Sequence, residues 1–174
     1  MTQIEDLFGA RTAVIVEQAI TAGMAADVRA RLERAGYARY QLLDRGSYDV
    51  TAHIDEPALI AHVVARAEQA TGRTLGVVEQ RVLRLGPGDY LLAHHDQIHE
   101  GHPLELIVDL SAAAVPGAEV HYRRRGQAYF RVPSAPRSLA IVERGPTVSC
   151  NHTYVSKRDP DAAVLRLMLL LRDR

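Results

Sequence analysis

Eight histidines stand in a chain of 174 residues that has one cysteine and no tryptophan. Five of them, His94, His95, His99, His102 and His152, fall around the loops and strand ends of its second half. The segment His94-His95-Asp96 contains His-x-Asp. On an extended segment, residues two apart face the same way, so one imidazole and one carboxylate there can converge on a single ion. Chance alone supplies about half of one such pair in a chain with this many His and Asp, so the pattern needs context. A second pair, His53 and Asp55, is set aside because Asp55 stands where a helix N-cap is expected. For the first pair, the turn Gly86-Pro87-Gly88-Asp89 and the short run Tyr90-Leu91-Leu92-Ala93 deliver His94 and Asp96 to a strand end. His152, on a later strand, offers a third ligand. Two imidazoles and one carboxylate on one side of a metal leave three octahedral positions open, an arrangement suited to Fe(II) and oxygen.

The elements that must carry these residues read as one continuous domain. Thr12 to Val16 is β-branched and apolar, which predicts a strand. Met24, Val28, Leu32 and Ala35 recur at helical spacing between Ala22 and Gly36, which predicts an amphipathic helix. Tyr37 to Ala52 reads as a hairpin turning at Asp44-Arg45-Gly46-Ser47. A second helix is expected after the Asp55 cap, with Pro57 in its first turn and Leu59, Val63, Val64 and Ala67 on its apolar stripe, ending near Gly72. From Thr74 onward the chain breaks into short strands: Leu75 to Leu85, Tyr90 to His95, Leu104 to Leu110, Glu119 to Arg123, Ala128 to Val132, Leu139 to Val142, Thr147 to His152 and Val164 to Leu171. So many strands at regular spacing predict a sandwich or barrel, with the two helices covering one face.

Composition narrows the function classes. Lys plus Arg and Asp plus Glu number 21 each, so no global basic field draws the chain to nucleic acid or anionic lipid. A lone Cys150 excludes an internal disulfide and a cysteine-rich zinc site. No apolar stretch is long enough to span a bilayer, and the start Met-Thr-Gln-Ile-Glu-Asp lacks the basic opening of a signal peptide, so a cytoplasmic location is expected.

With these residues in view, the segment Arg84 to Leu171 resembles the double-stranded β-helix (jelly-roll, cupin-like) core of the Fe(II)/2-oxoglutarate-dependent dioxygenases, in their prolyl-hydroxylase-like branch. Several pieces occur in the family's order. Leu85-Gly86-Pro87-Gly88-Asp89-Tyr90 with His94-His95-Asp96 resembles its turn, strand and first two iron ligands. Leu104 to Ser111 resembles its next apolar strand, and Pro116-Gly117-Ala118-Glu119-Val120 its Gly-Gly-Glu-Leu turn. Val132-Pro133 begins the segment toward the next core strand, and His152-Thr153-Tyr154-Val155 resembles the strand of the distal histidine. Arg166 stands where the family holds the far carboxylate of 2-oxoglutarate.

The resemblance implies a single domain over 1–174, with helical support over about 1–73 and a β-helix core over about 74–174. It implies His94, Asp96 and His152 as ligands of Fe(II), 2-oxoglutarate as cosubstrate, and Arg166 as its anchor through a bidentate charge-assisted pair. Decarboxylation of 2-oxoglutarate to succinate would then drive hydroxylation of a C–H bond in a small molecule, an amino acid or a peptide side chain. Asp96 matters here, since related halogenases lack this carboxylate to make room for a halide.

Two positions depart from the pattern. Leu85 stands where relatives often carry a tyrosine that touches the cosubstrate, and Tyr90, four residues before His94, is the candidate substitute. Asp109 stands where relatives present an aromatic residue. Alternation puts Leu104, Leu106, Val108 and Leu110 on one face and Glu105, Ile107 and Asp109 on the other, and either face could meet the iron. An inward Asp109 would compete with the cosubstrate for Arg166. Arg123-Arg124-Arg125-Gly126, with Tyr122, Tyr129 and Phe130 nearby as stacking surfaces, reads as a solvated hairpin tip or as a local basic patch. Two alternatives stand beside the hydroxylase: a nucleic-acid demethylase of the same superfamily, which zero net charge disfavours, and a non-catalytic cupin-like metal-binding module.

Overall fold

The structure, a computed structural model, describes residues 4–52, 54–93 and 104–174, so His53, His94, His95, Asp96, His99 and His102 lie outside the described residues. The chain runs α1 (Ile4–Arg11), β1 (Ala13–Val16), α2 (Ala22–Leu32), β2 (Ala38–Leu42), β3 (Gly46–Thr51) and α3 (Pro57–Thr71). It continues through β4 (Leu75–Leu85), β5 (Tyr90–Leu91), β6 (Leu104–Asp109), β7 (Val120–Arg124), β8 (Gln127–Val132), β9 (Leu139–Glu143), β10 (Val148–His152) and β11 (Val164–Asp173). The strands form one antiparallel sheet in the order β1-β9-β6-β11-β4-β3-β5-β10-β7-β8, with β2 paired to β3. β1 and β3 thus belong to the same sheet as the strands after residue 73.

The sheet has two buried faces. One packs under the helices, where Leu106, Val108, Leu165, Leu167 and Leu169 meet Val28, Leu32, Leu59 and Val63. The other, with Leu83, Leu85, Ile107, Val120, Tyr122, Cys150 and Met168, packs on itself. That requires the sheet to roll, and one contact demonstrates it: the Tyr122 hydroxyl on β7 donates to Glu105 on β6 at 2.8 Å, although five strands separate β6 from β7 in the sheet order. Strands covered on both sides have no wet face, which is why β6 and β11 read as near-continuous apolar runs. This is the mainly β, helix-flanked double-stranded β-helix expected from the sequence. No helix among the described residues is long and apolar enough to cross a membrane.

Two expectations need correction. α1, whose Phe8 is buried under the sheet, is a third helix that the sequence pattern does not announce. Asp55 does not cap α3: Glu56 occupies the cap position without a side-chain bond to the helix. Its carboxylate is instead held by Arg31 of α2 at 2.6 and 2.7 Å. The proline in the first turn pre-sets the helical φ and supplies no N–H that needs a cap.

The short strand β5 is fixed by the turn before it. Asp89 accepts from both terminal nitrogens of Arg39, from the Ser47 hydroxyl at 2.8 Å and from the Gly86 N–H at 2.9 Å, clamping the turn to the β2–β3 hairpin. On the other side of β5, the Gly88 N–H donates to the Val155 carbonyl at 2.8 Å and the Val155 N–H to the Asp89 carbonyl at 2.9 Å. Burial pushes the Asp89 carboxyl up, but Arg39, the Gly86 N–H and Ser47 together outweigh it and hold its pKa below the ordinary carboxylate value.

A group whose folded pKa is depressed stabilises the fold above its unfolded pKa and loses that contribution on acidification. Asp89→Asn should therefore lower the urea midpoint at pH 7, and the gap to wild type should close as the pH falls below about 4. A gap that stays constant to pH 3 would contradict this. Gly46 has φ +140°, and a Cβ there would run into the Tyr90 carbonyl oxygen and the Leu91 backbone. Gly46→Ala should cost about 1–3 kcal/mol in urea unfolding by prising β3 from β5; an unchanged midpoint would show that the contact yields freely.

Candidate metal and cosubstrate site

β10 presents Val148, Cys150 and His152 to the rolled interior, while Ser149 and Asn151 alternate away from it. Its register partners are β7 on one side and Leu91 of β5 on the other, with His152 opposite both Val120 and Leu91. Beyond β10, the Thr153 hydroxyl donates to the Gly117 carbonyl at 2.6 Å and accepts from the Glu119 N–H at 2.7 Å. This ties the strand end to the Pro116-Gly117-Ala118-Glu119 turn. Gly117 has φ +78° in this turn, a conformation that suits glycine.

β11 brings Arg166 to the same place. Arg166 alternates with Leu165 and Leu167, which face the helices, so its side chain enters the interior, where it is 1% exposed. One terminal nitrogen (Nη2) donates to the Ala118 carbonyl at 2.7 Å. The other (Nη1) donates to Nδ1 of His152 at 3.0 Å. Arg166 Nε and His152 Nε2 are buried without a hydrogen-bond partner among the described residues. The sequence placed His152 and Arg166 as two parts of one site, and the fold brings them into direct contact.

Asp109 lies opposite Arg166 in register, and the face of β6 that looks into the interior is Glu105, Ile107 and Asp109. Its carboxylate is engaged elsewhere: one oxygen accepts from the Ser111 N–H at 2.9 Å and the other from the Ala135 N–H at 2.8 Å. Arg166 makes no ion pair among the described residues, its polar contacts being His152 and the Ala118 carbonyl. Burial pulls the Arg166 pKa down, and Asp109 and Tyr122 oppose that only through longer-range attraction. Burial also drives His152 well below the ordinary histidine range, with Arg166 first and Arg81 and Arg144 after it reinforcing the shift. The imidazole is neutral at pH 7, the form a metal needs.

A second interior cluster, unforeseen from the sequence, is fully buried. Glu105 accepts from the Tyr122 hydroxyl, and Arg144 of the loop after β9 reaches both its carboxylate oxygens at 3.3 Å. Tyr122 is therefore a core residue, not a stacking surface. The one sequence signal was Glu105, an acid inside an apolar strand. The Arg123–Arg125 run is the exposed tip of the β7–β8 hairpin, where Arg124 lies 4.6 Å from the centre of the Tyr129 ring and donates to Thr12 at 3.0 Å.

Tyr90 needs correction as a cosubstrate contact. In β5 it alternates with Leu91, and Leu91 is the residue packed into the interior opposite His152. Tyr90 pairs with Ser47 and stands on the outer face. Among the described residues, Tyr122 belongs to the inner core and Tyr48 and Tyr129 pack against it.

No protein-family model matches the chain, and no curated protein is similar to it in sequence. Solved structures do match. A 2OG-Fe(II) oxygenase family oxidoreductase from Burkholderia pseudomallei superposes with TM-score 0.77 at 11% identity, over 97% of this chain and 89% of that one. A prolyl hydroxylase from Trichoplax adhaerens, in complex with a hypoxia inducible factor peptide fragment, gives 0.75 at 12% identity over 98% and 87%. The non-heme α-ketoglutarate-dependent epimerase SnoN of nogalamycin biosynthesis gives 0.69 at 18% identity over 95% and 79%. By its fold, then, this chain is a double-stranded β-helix of the kind on which these 2-oxoglutarate–Fe(II) oxygenases are built.

Proposed function

We propose that the chain is an Fe(II)- and 2-oxoglutarate-dependent oxygenase that hydroxylates a C–H bond of a small molecule, an amino acid or a peptide side chain. In this reading His152 holds the metal together with His94 and Asp96, and Arg166 holds the distal carboxylate of 2-oxoglutarate. The observation that carries it is a buried guanidinium without an ion pair among the described residues, touching a buried neutral imidazole whose Nε2 has no partner. An uncompensated buried charge costs several kcal/mol, about the scale of a domain's whole stability, so such a group calls for an anion. A carboxylate docked on Arg166 would satisfy the charge and take up the unused Nε–H.

The donor set fits the implied group. A neutral imidazole with an open nitrogen suits Fe(II), and a guanidinium suits a carboxylate. Leu91 is the register partner of His152, and His94 follows it by three positions in the sequence. Metal and cosubstrate would supply the oxidising power toward an unactivated C–H bond, coupled to conversion of 2-oxoglutarate to succinate. The chain's own residues bind and orient. Arg166 and the Ala118 carbonyl that steadies it fix one end of the cosubstrate. Asp109, saturated by backbone N–H groups, does not compete for the guanidinium. The apolar interior around Ile107, Val120, Val164 and Met168 excludes water. The solved relatives include one described with a peptide and one from small-molecule biosynthesis, which supports either kind of substrate.

Anaerobic titration with Fe(II) and 2-oxoglutarate should produce a weak visible charge-transfer band; its absence would leave the metal-binding module as the better reading. Arg166→Ala should weaken 2-oxoglutarate binding by about 30-fold or more while metal binding persists, measured by calorimetry with Mn(II) under nitrogen. Equal cosubstrate affinity would reject the anchor. His152→Ala should abolish succinate formation in the absence of substrate, and persistence of that turnover would reject the third ligand.

A further inference from the structure

On the helix-covered side of the sheet, away from the face that carries His152 and Arg166, a cleft of about 440 Å³ opens between the β1–α2 loop, α3 and the loop before β9. A space of that size suits a small organic molecule. Its floor is apolar, with Ala19 and Ile20 buried and Met24 packed beside them. Its wall is cationic. Arg66 of α3 and Arg137 of the loop both line it, and among the described residues no acid does. Elsewhere on the surface Arg31, Arg73 and Arg84 each hold a carboxylate of the chain. The guanidinium groups of Arg66 and Arg137 have neither a hydrogen bond nor an ion pair among the described residues.

The backbone is bent against its preference to build this wall. Arg137 has φ +72° and Gln18, which also lines the cleft, has φ +49°, a left-handed conformation that a residue with a Cβ enters only against steric resistance. Glycine would enter it freely, yet position 137 holds a cation. The loop is fixed there by the Arg137 N–H, which donates to the Asp109 carbonyl at 2.8 Å. On the opposite wall, His62 Nε2 donates to the Ala19 carbonyl at 2.8 Å, which fixes the ring. Thr21 caps α2 at the cleft, and the first turn of that helix has no acidic residue to occupy its positive end.

We propose that this cleft is a second binding site, for a small phosphate monoester whose phosphate bridges Arg66 and Arg137 and whose apolar part rests on Ala19, Ile20 and Met24. Three terminal oxygens can serve two guanidinium forks at once, which a carboxylate with two oxygens does less well. The site shares no residue with the metal and cosubstrate centre, and it stands whether or not the oxygenase reading does.

Phenyl phosphate supplies both halves of such a ligand. Titrated into the 15N-labelled full chain, it should shift the backbone amides of Thr21 to Met24 in a saturable way, and benzoate and phenol should bind there about tenfold more weakly or worse. Arg137→Gly removes the guanidinium while suiting the left-handed backbone, so it should keep the wild-type melting temperature and bind phenyl phosphate about tenfold more weakly. Arg66→Gln, at an exposed helical position, should weaken it similarly, and Arg166→Met should leave these shifts and their midpoint as in wild type. Shifts that do not saturate, benzoate binding as tightly as phenyl phosphate, an unchanged midpoint in Arg137→Gly, or loss confined to Arg166→Met would each overturn the site.

Discussion

The constraint on which the site depends is the burial of one guanidinium. Arg166 sits on a strand whose other face is packed under helices, so its side chain can only enter the interior of the rolled sheet. Once there it finds a carbonyl and an imidazole but, among the described residues, no counter-charge in contact. The Glu105–Arg144 pair shows what the alternative looks like in the same interior: a carboxylate supplied by the chain itself, with a tyrosine completing its hydrogen bonds. Among the described residues, then, one interior arginine has a carboxylate partner and the other has none, which is what the proposed anchoring of a carboxylate on Arg166 requires.

Holding that place open requires neighbours to be satisfied without it. Asp109 is the critical case, since it is the register partner of Arg166 and carries the charge that could have closed the site. Its oxygens are consumed by the Ser111 and Ala135 backbone, at the point where β6 ends and the chain turns. Two N–H groups that would otherwise be orphaned bind the carboxylate, so both sides gain from the arrangement. The Asp89 clamp does comparable work on the other side, fixing the turn that delivers β5 to its pairing with His152.

Much of the architecture was legible locally. The strand sequence from β4 to β11, both long helices and the β2–β3 hairpin follow from apolar periodicity and from glycines at turns, because these depend on neighbours a few residues away. α1 was not legible, since its eight residues carry almost no amphipathic pattern and only Phe8 is buried. The α3 cap was misread because Asp55 and Glu56 are equivalent by composition, and it took the nearby Arg31 to engage one of them. Tyr90 was misread for a different reason. Its spacing from His94 was counted along an unbroken strand, whereas β5 pairs through Leu91, which sets the inward face one residue out of phase.

The sequence by itself determined the order of the elements and the residues able to do chemistry: His152 on one strand, an arginine inside an apolar strand, and a His-x-Asp pair after a glycine turn. Alternation divides a strand into two faces but does not say which is inside, and that choice belongs to the sheet as a whole. Only when the sheet rolled did Asp109 turn inward, Glu105 find Tyr122 and Arg144, and Arg166 come to rest on Nδ1 of His152. Those partners are separated by between 14 and 39 positions, and no local pattern can specify contacts that exist only after closure.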